Sequence, residues 1–84
     1  MQNLDDLRTD FEILIKRVHE AQAVAKSNVN GVDSTSLQRD AMRLLGRVKK
    51  LSAKDAHEIK HFISTLIEDL DKLADIVRRK GKAL

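Results

Sequence analysis

From Ala56 to Val77 the apolar residues of this chain recur at alternating steps of three and four: Ala56, Ile59, Ile63, Leu66, Leu70, Leu73 and Val77. That spacing is one face of an α-helix held over many turns. Phe62, Ile67, Ala74 and Ile76 stand beside the seam and widen it to roughly half the circumference. A face that wide has two neighbours to satisfy, more than a two-stranded coiled coil requires. Ser52 stands three residues before Asp55, so its hydroxyl can cap the first turn while the carboxylate answers the helix dipole. At the other end Arg78, Arg79 and Lys80 suit the last turn, and Gly81 is placed to close it in a left-handed conformation. The pattern predicts a helix over about 53–80.

The same spacing recurs twice upstream. Leu4, Leu7, Phe11, Leu14, Val18, Ala21 and Ala25, with Ile15 beside them, predict a helix over about 4–26, with Asn3 as its cap and Asp5 and Asp6 in its first turn. Leu37, Ala41, Leu44, Val48 and Leu51, with Leu45 at the margin, predict another over about 36–51. Between them Ser27 to Ser36 is rich in turn and capping residues, including Asn30-Gly31 and Asp33-Ser34-Thr35-Ser36, and reads as a loop. Neither glycine nor proline interrupts the chain at Leu51-Ser52. A break there lets helices of about 24, 16 and 28 residues close on one another, whereas a continuous helix would force dimerisation.

Proline is absent and aromatic residues make up 2% of the chain, so sheet-forming signals are missing. The expected fold is all-α: an antiparallel three-helix bundle forming one domain over 1–84, able to associate into a larger helical bundle. At 84 residues a single core contributes only a few kcal/mol net, so self-association, as a homodimer, is expected to help. Cysteine is absent, which rules out a disulfide framework and fits a reducing compartment; a cytoplasmic location is expected. Asp5, Asp6, Asp10 and Glu12 interrupt the opening segment, and neither a secretion leader nor a membrane span is expected.

The net charge is +3 with 35% of residues charged, which is mildly basic. Arg39, Arg43 and Arg47 recur every four residues on the outer surface of the second helix, and Lys50 and Lys54 extend the row. Such a row can meet an acidic protein or the phosphates of a nucleic acid, whose binding would then fall steeply with salt. Without stacking aromatics, base-specific reading is not expected. Met42 and Gly46 share this outer surface. A glycine inside a helix costs about 1 kcal/mol against alanine, so it is either tolerated or marks the close approach of another backbone. On the first helix Ile13 and Val24 fall opposite the apolar seam; they are either scattered surface aliphatics or a thin second contact strip.

His57-Glu58-Ile59-Lys60-His61 matches H-E-x-x-H, in which two histidines one helical turn apart bind zinc and the glutamate acts as a base. A hydrolytic zinc also needs a third protein ligand and a cleft, and the pattern places both histidines on the polar face. No metal or cofactor is expected. Leu4-Asp5-Asp6-Leu7-Arg8, with the long, short, long order of the helices, resembles the all-helical chorismate mutases, and Asp55-Ala56-His57 with Ile67-Glu68-Asp69 is similar to their third helix. The resemblance implies a substrate-binding role for Arg8. The first helix is about three turns shorter than in that family. Gln38 stands where its second helix carries a glutamate, and Ala74 where its third carries a glutamine. A mutase-like chain of this kind would be degenerate.

No nucleophile with a base and no glycine-rich phosphate loop accompanies these features. The function expected is that of a small non-enzymatic interaction module, an adaptor or regulator binding a partner or itself through helix faces. Its candidate surface is Arg39, Met42, Arg43, Gly46, Arg47 and Lys50 on the second helix, with Ile13 and Val24 on the first. The alternatives are an anion- or nucleic-acid-binding protein using the same basic face, and a mutase-like enzyme.

Overall fold

A computed structural model describes residues 4–28 and 32–82, with side chains described through Arg79. It contains four helices: α1 (Leu4–Ser27), α2 (Ser34–Val48), α3 (Ala53–Glu58) and α4 (Lys60–Lys82). The all-helical expectation holds; the three-helix count does not. The long segment expected over 53–80 is divided at Ile59, whose φ of −101° and ψ of 7° lie in the bridge region rather than the helical well. Its side chain is nonetheless fully buried. The apolar spacing continues across the break in sequence, but the buried cluster reaches back only to Ile59 and does not include Ala56 of α3. α3 has no fully buried residue to hold it in line with α4, and the carbonyl of Ile59 accepts from the amide of Ile63 at 3.1 Å, opening the first turn of α4.

Capping chemistry accounts for the other boundaries. Asp33 closes the start of α2, its carboxylate accepting from the Ser36 amide at 3.0 Å, so α2 begins at Ser34 rather than near Ser36. It ends at Val48 instead of Leu51, because the amides of Lys50 and Leu51 reach back only three residues, to Arg47 and Val48, tightening the final turn. Ser52 caps α3 as expected, accepting from the Asp55 amide at 3.2 Å. α4 runs through Gly81 to Lys82 rather than stopping at Lys80, a continuation that glycine weakens without forbidding. The expected cap Asn3 and the Asn30-Gly31 turn lie outside the described residues.

Leu7, Phe11, Leu14, Val18 and Ala25 of α1, Leu37, Ala41 and Leu44 of α2, and Ile59, Leu66 and Leu73 form one buried cluster. α1 is the common partner, packing most extensively along α4 and less along α2, while α2 and α4 meet only sparsely. Ion pairs join Asp10 to Arg47 and Arg17 to Asp40, so α2 runs antiparallel to α1. Glu12 and His19 share a groove with His61 and Thr65, and His19 reaches on to Asp69, so α4 runs parallel to α1. The result is an elongated bundle of 46 × 16 × 16 Å.

Asp69 is a buried carboxylate on the α1–α4 seam, 7% exposed. Nε2 of His19 donates to it at 2.6 Å, and the Gln22 side-chain amide donates to the Asp69 backbone carbonyl at 2.7 Å. Together these bonds fix the register between the two longest helices. Asp69→Ala is expected to lower the unfolding free energy by about 1–3 kcal/mol, read as a reduced urea midpoint in circular dichroism.

Candidate interaction surface

α2 turns Leu37, Ala41 and Leu44 into the core, which leaves Arg39, Met42, Arg43 and Gly46 on its solvent side; Lys50, expected on this helix, is exposed in the turn after its end. Met42 is 73% exposed. Arg39 and Arg43 have no ion-pair partner among the described residues. Arg47, the third member of the row, is used differently. Its Nη1 donates to Asp10 of α1 at 2.7 Å, and its side chain is only 26% exposed.

A second pair, Arg17 Nη1 to Asp40 at 2.9 Å, joins the same two helices one step further along. Between the pairs lies an open groove of about 230 Å³, with Ile13 and Leu14 on one wall and Arg43 and Leu44 on the other. Ile13 is 54% exposed there. The structure thus brings Ile13, Arg43 and Arg47 into one place and joins part of the α1 strip to the α2 row. Val24 sits further along α1, in a separate groove with Val32 and Leu37; Arg17 lines both grooves. A signal for the register was present. Asp10 and Arg17 are seven residues apart, as are Asp40 and Arg47, so antiparallel helices pair both couples at once. Each exposed pair contributes at most about 1 kcal/mol, so they set register more than stability.

A Cβ built on Gly46 would meet no atom within 4 Å. Among the described residues, nothing beyond its own helical turn approaches it. Gly46→Ala is therefore expected to raise stability by about 1 kcal/mol, seen as a higher urea midpoint with an unchanged slope.

The two histidines of the H-E-x-x-H pattern fall on opposite sides of the Ile59 break, His57 in α3 and His61 in α4. They do not occupy one uninterrupted helical turn. Among the described residues no group of three or more His, Cys, Asp or Glu side chains is placed to hold a metal. His61 packs edge-on to Phe62, ring centroids 6.3 Å apart, beside a groove that also includes His19 and Glu12.

Gln38 and Ala74, two positions considered in the mutase resemblance, line a groove of about 220 Å³ between α2 and α4. Arg8 is not part of it. Arg8 lies 4.0 Å from Asp5, and its Nε is buried without a hydrogen-bond partner. Among the described residues, Arg8 is thus not brought together with Gln38 and Ala74. No described helix is long and apolar enough to cross a membrane. In comparisons with known proteins, no family model, curated sequence or solved structure matches the chain.

Proposed function

We infer that the protein is a small non-enzymatic interaction module, an adaptor or regulator, that engages a partner through the solvent face of α2 and the α1–α2 groove beside it. The observation that carries this reading is the grouping of Met42 at 73% exposure with Arg39 and Arg43, which have no ion-pair partner among the described residues, while Ile13 at 54% exposure lies across the groove from Arg43. Single exposed aliphatics are ordinary on protein surfaces. Methionine and arginine are among the residues enriched at protein interfaces.

Charge reversal tests it. The Arg39→Glu, Arg43→Glu double variant spares Arg47, whose loss would also break the contact with Asp10. Its helical circular dichroism should match the parent, and its affinity for the captured partner should fall about 100-fold, the loss of two important contacts. Undiminished affinity would remove α2 from the contact surface. Binding to a polyanion is a second reading, favoured by the exposed Lys50 and Lys54, which follow the arginines along the chain. It requires a mobility shift of nucleic acid at low salt that disappears as salt rises.

A further inference from the structure

We propose that the groove between α2 and α4 receives one amphipathic helix with acidic margins, supplied by another protein, which adds a further helix to the bundle. This rests on the reading of the protein as an interaction module but assigns a different groove and a partner chemistry. Along α4, Ile63, Ile67, Leu70, Ala74 and Val77 follow one another at steps of four and three, a second apolar seam beside the fully buried Leu66 and Leu73. α2 is the element placed to cover it, but α2 has 15 residues against 23 in α4 and meets it only sparsely.

The consequence is an apolar trough. Leu70, Ala74 and Val77 line it and remain half-buried, and Ile67 at its edge is 44% exposed. On the facing side Gln38 lines the same groove, and Met42 and Leu45, four and seven residues further on, continue that wall. A trough between two antiparallel helices, with aliphatic positions at helical spacing, is shaped for the apolar face of another helix.

Charge selects among occupants. Arg78 lines the trough; helical spacing puts Lys60 on the same margin of α4, and Lys49, the C-cap of α2, follows Met42 and Leu45 on the facing side. None of the three has an ion-pair partner among the described residues, and Asp71 is the acidic residue on the α4 margin. A helix with glutamate or aspartate beside its apolar seam complements this rim. A second copy laid antiparallel along the α4 seam instead brings Lys60 opposite Arg78, like charge against like. The rim therefore favours a foreign acidic helix over self-association.

The test uses the full chain and two synthetic peptides of about 18 residues, five helical turns. Both carry the same leucine seam, one flanked by glutamates and the other by lysines. Calorimetry should show the glutamate peptide binding at least about tenfold more tightly than the lysine peptide. Its amide shifts in the isotope-labelled chain should concentrate around Met42, Leu45, Ile67 and Ala74. Ile67→Glu, and independently Arg78→Glu at the exposed rim, should each weaken binding about tenfold, whereas Lys16→Glu on the α1–α4 side should leave it unchanged. No saturable binding, equal affinity for both peptides, or shifts confined to the α1–α2 groove would overturn the assignment. A dimer of the free chain that Ile67→Glu dissociates would place a second copy in the trough and overturn it too. If the captured partner is lost on reversing Arg39 and Arg43 but not on changing Ile67 or Arg78, this inference fails while the module reading stands.

Discussion

Phe11→Ala is expected to lower the free energy of unfolding by about 3–5 kcal/mol, the range for removing a large aromatic side chain from a close-packed core. Phe11 is fully buried on α1, the helix against which both α2 and α4 pack, so the cavity opens where neither neighbour can collapse into it without leaving other contacts. A domain of this size has only about 5 kcal/mol or somewhat more to lose. The variant should be largely unfolded at 37 °C. Since the chain has neither tryptophan nor tyrosine, urea denaturation followed by far-ultraviolet circular dichroism is the suitable measurement. A loss below 1 kcal/mol would mean that Phe11 does not occupy the centre of the core.

Ile59→Ala is expected to cost about 2–5 kcal/mol, despite alanine being the better helix former. Ile59 is fully buried at the break between α3 and α4, where its side chain joins the core while its backbone leaves the helical well. The substitution opposes two effects. Losing the buried side chain removes packing, whereas alanine's propensity, under 1 kcal/mol, favours healing the break into one continuous helix. Lost packing outweighs the gain in propensity, so the variant should be less stable yet show equal or greater helical signal per residue at low temperature. Unchanged stability would indicate that the anchor at the break is dispensable.

The helices and the residues they bury were legible because burial follows a period that each segment states for itself. Leu7, Phe11, Leu14 and Val18, and later Leu66 and Leu73, lie inward as their spacing requires. The Ile59 break was not legible for the same reason: the seam runs through it, and no glycine or proline marks the bend. α2 began early because Asp33, Ser34, Thr35 and Ser36 can all cap a helix, and composition alone does not choose among them. The surface was half legible. Each helix shows which of its residues face outward, as with Ile13, Arg39, Met42 and Arg43. That Arg47 would pair with Asp10, and Asp69 with His19, depends on registers between helices. The paired spacing of Asp10, Arg17, Asp40 and Arg47 encodes one of these registers, while a single histidine fifty residues from its acceptor encodes the other too weakly to read.

The same division governs the functional reading. Aliphatic and basic side chains left uncovered on α2 are a property of the assembled bundle, because only packing shows that Arg47 is engaged and Arg43 is not. The most direct test is position-specific photo-crosslinking, with a benzophenone amino acid placed in turn at Gly46 on the exposed face of α2, where an added Cβ meets no atom within 4 Å, and at Lys16 on the α1–α4 side of the bundle. Position 46 should yield a discrete crosslinked product that position 16 does not, and Arg39→Glu should abolish it. A product formed equally from both positions, or only from position 16, would contradict the functional reading.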